Sequence, residues 1–139
     1  MPYVTGEKGI KIQELMDKSN VEFDNNNYEE SILLLEQAWD EIPDDKISYS
    51  ESFLIVWGIL DISRLIKDVD RMNNRVDNIF FCSPQRGDTG ERELWEGKVA
   101  YELGNFKEAK EYFKLANDKS KGRCFGTKDG KYIKFLKQS

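Results

Sequence analysis

No histidine occurs anywhere in the 139 residues. The commonest general base and the commonest metal ligand are thereby missing, which argues against most acid–base and metal-assisted catalysis. Proline is scarce, at Pro2, Pro43 and Pro84 only, and long proline-free stretches suit helices, whose hydrogen-bond ladder an interior proline breaks. The two cysteines, Cys82 and Cys124, have no CxxC or other metal-binding spacing. A reducing, cytoplasmic setting is the plain expectation, with a disulfide between them the lesser alternative. No apolar run reaches the roughly 18 residues of a membrane span. The most apolar window, Phe53 to Ile66, is interrupted by Asp61 and Arg64 and reads as a buried helix. The opening MPYVTGEKGIKIQ lacks the basic start and apolar run of a signal peptide. GDTGER, from Gly87, lacks the lysine and the strand context of a phosphate-cradling loop. Neither an enzyme nor a bound cofactor or metal is expected.

What is present is the composition of a folded chain. Hydrophobic residues make up 39% and charged residues 34%, which supports one domain spanning 1–139. The net charge of −5 is unevenly spread. Met1 to Lys46 holds 12 acidic and 4 basic residues, Ile47 to Thr89 6 and 5, and Gly90 to Ser139 8 and 12. An acidic front could steer a basic partner toward it. A solvated helix surface is the plainer reading of the same charges.

Two segments match each other. NNNYEESILLLEQAWDEIPDD runs from Asn25 to Asp45, and LGNFKEAKEYFKLANDKSKG from Leu103 to Gly122. Aligned, Tyr28 falls on Phe106, Ser31 on Ala109, Leu35 on Phe113 and Ala38 on Ala116. A turn rich in Asn or Gly lets the backbone reverse, and the aromatic after it packs back on the preceding helix. The small residue lets two helices approach closely, and the later apolar residues lie at four- and three-residue steps on one face. Pro43 then stops the first hairpin.

This pattern resembles the tetratricopeptide family, whose repeat of about 34 residues is a pair of antiparallel helices. The family's second-helix positions are met by Tyr28, Ser31, Leu35, Ala38 and Pro43, and again by Gly104, Phe106, Ala109, Phe113 and Ala116, with Lys121 in place of the closing proline. Among first-helix positions Leu15, Ser19 and Gly97 fit, whereas Lys18, Glu22, Glu93 and Glu96 stand where the family has apolar or aromatic residues. The resemblance implies an all-α fold of about three antiparallel hairpins, near 10–43, 49–82 and 90–121, stacked as a short superhelix with a capping helix near 130–138. Asn26 and Gly104 are 78 residues apart, two repeats plus ten, so a degenerate middle hairpin belongs between them. Phe53, Leu54, Val56, Trp57, Leu60 and Leu65 mark its first helix, and Met72, Val76, Ile79 and Phe80 its second. The loop Cys82 to Gly90 is expected to absorb most of the extra length. Tyr132, Phe135 and Leu136 share one face of the final helix, as a cap requires.

In tetratricopeptide proteins the exposed positions of each first helix contact the partner. Carried over, they are Met16, Asn20 and Phe23, then Leu94, Lys98 and Tyr101, with Trp57, Asp61 and Arg64 from the middle hairpin. Aromatic and arginine residues commonly anchor interfaces, although Phe23, Trp57 and Tyr101 read equally well as core. Glu29, Glu30 and Glu36 represent the acidic face. The run from Lys114, with 8 basic and 2 acidic residues, reads as a cap with a solvated basic face, so neither nucleic acid nor membrane is expected as a partner. The ending, SKGRCF followed by Asp129-Gly130-Lys131-Tyr132 and Phe135-Leu136-Lys137, is similar to small tetratricopeptide-like immunity proteins encoded beside bacterial toxins. That similarity implies a protein partner, such as a basic toxin domain, neutralised by binding. The alternative is a general adaptor holding a peptide or helix in its groove.

Overall fold

The structure is a computed structural model that describes residues 3–81 and 89–138. Among the described residues the chain is all-α. It contains α1 (Gly6–Asp24), α2 (Tyr28–Glu41), α3 (Ser50–Leu65), α4 (Val69–Phe81), α5 (Glu91–Glu102), α6 (Phe106–Ser120) and α7 (Gly130–Lys137), with single 3-10 turns at Lys46–Ser48 and Thr127–Asp129. Three pairs pack as hairpins: α1 on α2, α3 on α4 and α5 on α6. The first helix begins at Gly6, ahead of residue 10. The chain divides into two compact units, 1–83 and 84–139, where the sequence suggests one domain. The first holds two hairpins, and the second holds the third hairpin with α7.

All three hairpins reverse through the same backbone device. Asn26, Lys67 and Gly104 each adopt a left-handed conformation, with φ of 64°, 61° and 85°. The amide one residue beyond each donates to a carbonyl five residues back: Asn27 to Glu22, Asp68 to Ser63 and Asn105 to Ala100, each at 2.8 Å. The left-handed residue's own amide donates to the carbonyl three residues back, on Phe23, Arg64 and Tyr101. This is the paired closure that satisfies a helix's last carbonyls. The next helix starts at once, since Asn27, Asp68 and Asn105 accept from Ser31, Met72 and Ala109. From Asn26 to Lys67 is 41 residues and from Lys67 to Gly104 is 37, so seven of the ten extra residues precede the middle turn. The Pro43–Tyr49 connection with its 3-10 turn lies in that first interval, so the Cys82–Gly90 loop does not take most of the added length. Residues 82–88 lie outside the described residues.

Above each outer turn, small residues set the helix spacing. Ser19 and Ser31, both buried, donate their hydroxyls to each other's carbonyls at 2.8 Å. At the equivalent place Gly97 faces Phe113 so closely that an added Cβ would stand 2.6 Å from the ring. The aromatic pair beside each turn is also reproduced. Phe23 and Tyr28 meet edge to face at 5.3 Å, and so do Tyr101 and Phe106. Tyr28 is half-buried, while Phe106 is 52% exposed on its outer side. The middle hairpin keeps only the turn, for Leu60 and Met72 replace the small pair and Arg64 and Val69 the aromatic one.

Inside the first unit α2 is sandwiched between α1 and α3. Its buried Ile32, Leu35 and Ala38 meet Ile12 and Leu15 of α1 and Ile55, Ile59 and Ile62 of α3. In the second unit Leu94, Ala109, Phe113, Ala116 and Tyr132 form the core, and Tyr132 belongs to α7, which caps the hairpin. The close contact at Gly97 predicts that Gly97→Val costs about 1–3 kcal/mol by overpacking, measured by urea denaturation, whereas Gly104→Asn, which keeps a residue tolerant of left-handed backbone, costs less than about 1 kcal/mol.

Candidate protein-binding surfaces

The shared turn sets the register of the middle hairpin. Stepping back from Asn26, Lys67 and Gly104 by equal numbers of residues makes Met16, Asn20 and Phe23 equivalent to Trp57, Asp61 and Arg64, and these to Leu94, Lys98 and Tyr101. The nine residues occupy three corresponding helix faces, but their environments differ.

On α1 this face is open. Asn20 is exposed, and Gln13, Asp17 and Asp24 continue the same stripe, with Gln13 donating to Asp17 at 2.9 Å. Met16 and Phe23 are half-buried at its margin, packed against the core. On α3 the face is more apolar. Leu54 and Leu65 are 47% and 49% exposed and share a helical stripe with Gly58 and Asp61. Exposure of both leucines departs from the expected wholly buried helix. Trp57 lies half-buried against Phe53, 5.7 Å between rings, and Arg64 bridges Asp61 at 2.9 Å.

On α5 the same positions are mostly inside. Leu94 is 1% and Lys98 4% exposed, so neither offers surface to a partner, contrary to expectation. Leu94 joins the core of its hairpin. The Lys98 ammonium lies 2.8 Å from the buried carboxylate of Asp129, with the Trp95 ring 4.4 Å and the Tyr132 ring 5.6 Å away. Asp129 also accepts the Gly126 amide at 2.8 Å. Burying a charge is costly unless a partner and hydrogen bonds compensate it, and the segment leading into α7 supplies both. Tyr101 is half-buried among Phe106, Tyr132 and Phe135.

The acidic set also divides. Glu29 takes a two-pronged contact from Arg71, at 2.8 and 3.1 Å, and Glu36 a close one from Arg75. The hydrogen bond from Arg71 holds the Glu29 carboxyl below its ordinary value, and the same bond raises the Arg71 guanidinium. Arg75 also lies over Trp39, 5.2 Å from the ring centre, with Lys46 at 5.6 Å from the same ring. These pairs tie α4 to α2, so Glu29 and Glu36 serve internal contacts, although Glu29 remains exposed beside its arginine, and Glu30 is exposed as well. The spacing was visible in advance: Glu29 and Glu36 are two helical turns apart, and Arg71 and Arg75 one turn apart. The sequence alone does not say that α2 and α4 are close enough for these pairs to form. A cleft of about 660 Å³ opens beside the first turn, lined by Glu22, Asn27, Tyr28, Glu29, Glu30 and Ile66.

Two further acidic residues are structural. Glu51, 4% exposed, receives the Val4 amide at 2.9 Å and pins the chain ahead of α1. Glu93, one of the residues that breaks the family pattern, is buried and takes an ion pair from Lys119. Cys124 is a free thiol, and burial raises its pKa; Cys82 lies outside the described residues.

No family model, curated protein or solved structure matches the chain. The surfaces must therefore be read on their own chemistry.

Two outcomes follow from the ion pairs. Lys98→Met, which strands a buried carboxylate, costs about 3–5 kcal/mol, and a second change, Asp129→Leu, restores more than half of it; chemical denaturation of the single and double variants measures both. Because Glu29 is depressed in the folded state, the stability it contributes is present above its unfolded value of 4.5 and is lost as pH falls through the lower folded value. Glu29 is exposed, so the effect is no more than about 0.5 kcal/mol, and Arg71→Met removes it from a pH 3–6 stability series.

Proposed function

We propose that this chain is a tetratricopeptide-like module that binds and neutralises another protein, as the immunity partner of a bacterial toxin does. The reading rests on the charge of the first unit. Residues 1–83 hold 17 acidic and 8 basic residues, against 9 and 13 in residues 84–139. Asp17, Asp24 and Glu30 are exposed there. A catalytic domain that acts on nucleic acid presents basic surface, and an acidic inhibitor covering it gains long-range attraction and rapid association. The repeated hairpins supply a rigid frame for such a face, since each turn satisfies its own backbone.

The test is kinetic. With the chain as bait, the captured partner should be basic. Its association rate should fall at least about tenfold between low and high salt, while dissociation changes little. Combined Asp17→Lys, Asp24→Lys and Glu30→Lys should slow association to a similar degree without altering the helical circular dichroism. An association rate indifferent to both salt and charge reversal removes this reading.

A second reading, an adaptor that holds a peptide or helix, is favoured by one observation: Leu54 and Leu65 lie half exposed on one stripe of α3. Under it, Leu54→Asp and Leu65→Asp abolish binding and the acidic substitutions do not.

A further inference from the structure

The last segment of the chain is fastened differently from the rest of the fold. α7 has eight residues, too few to persist as a helix in water by itself. It follows Lys121 and Gly122, both left-handed, and then Gly126 and Gly130. A side chain at Gly130 would meet nothing within 4 Å, so packing does not explain the glycine there.

Its attachment has three parts. Tyr132, fully buried, lies 5.4 Å from both Tyr101 and Phe113, and its hydroxyl donates to Glu102 at 2.8 Å. Phe135 lies 5.1 Å from Tyr101 and 5.8 Å from Phe106. The second part is the buried Lys98–Asp129 pair. A buried ion pair adds little net stability compared with an apolar pair of the same size, but it discriminates strongly among occupants. The third is Lys131, whose ammonium pairs with Glu102 at 2.6 Å and lies over the Tyr101 and Tyr132 rings, while Lys128 and Lys134 are exposed on the outer side.

We propose that residues 121–138 form a detachable strap, and that the cleft it fills between α5 and α6 is an exchange site whose alternative occupant is the same segment of a second copy. The cleft sets strict terms for an occupant. Lys98, at its base, requires a carboxylate. The aromatic floor of Tyr101, Phe106 and Phe113 requires one ring three residues after that carboxylate and another six after it. Asp129, Tyr132 and Phe135 meet those terms, and every copy of the chain carries them. A glycine-punctuated connection is the kind of hinge through which identical segments exchange between copies. Because this claim concerns the second unit alone, it stands or falls independently of the acidic face.

Hydrogen exchange on the full chain gives the first measurement. Amides of α7 should exchange at least about tenfold faster than those of α5 and α6, reporting a local opening below the global one. In Asp129→Asn, which weakens the latch in the strap, α7 should open about a further tenfold or more, with α1 to α4 unchanged. The second measurement uses a fluorescent peptide of residues 121–138 added to the full chain. It should bind Asp129→Asn at least about tenfold more tightly than wild type, because the resident strap competes less well. A peptide carrying Tyr132→Ala and Phe135→Ala should not bind. If Asp129→Asn fails to fold, the wild-type exchange pattern still decides. Exchange of α7 in step with α5 and α6, or a peptide that binds neither protein, overturns the proposal.

Discussion

A helical hairpin works only if two helices can come close at the point where the backbone turns back, and every other feature of this protein depends on that constraint. The last carbonyls of the first helix must be satisfied within a few residues, which a single left-handed residue at Asn26, Lys67 or Gly104 achieves. The helices must then run side by side without a bulky contact near the turn. Ser19 against Ser31 meets that demand in the first hairpin, and in the third Gly97 leaves the room that the Phe113 ring occupies. The serine pair does so at no loss of hydrogen bonding, because each hydroxyl finds the facing carbonyl. In the middle hairpin Leu60 and Met72 fill the same place, so the turn, and not the small pair, is the feature common to all three.

Charge is used in two ways. On the surface of α1 it is solvated and free to act at a distance. Between α2 and α4 it is spent on contact, with Arg71 and Arg75 reaching Glu29 and Glu36, and in the second unit it is buried outright at Lys98 and Asp129. The distinction matters for any account of binding. Acidic residues already engaged by arginine contribute little to attracting a partner, and a lysine enclosed by Trp95 and Tyr132 contributes nothing as a contact. The exposed acids Asp17, Asp24 and Glu30 are the better representatives of the first unit's field.

Much of the helical pattern was legible because it is local. Helix periodicity, the Asn and Gly turns, the aromatic after each turn and the stop at Pro43 depend on residues within a few positions of one another. The middle hairpin was harder to place, since Lys67 is not a residue that announces a left-handed turn, and its large Leu60 and Met72 hide the repeat. Equal steps back from the three left-handed residues put Trp57, Asp61 and Arg64 in register with Met16, Asn20 and Phe23. The exposed stripe of Leu54 and Leu65 is not legible in the sequence, because an apolar helix gives no sign of which flank its neighbours cover.

The linear chain by itself determined that this protein is helical, that its helices pair as hairpins and where two of the turns fall, because those outcomes are governed by backbone propensity and short-range periodicity. Only the tertiary structure decided which charges remain in water. Whether Glu29, Glu36 or Lys98 faces solvent depends on residues about 30 to 40 positions away, Arg71, Arg75 and Asp129, and the energy of a charge depends on its surroundings far more than on its neighbours in sequence.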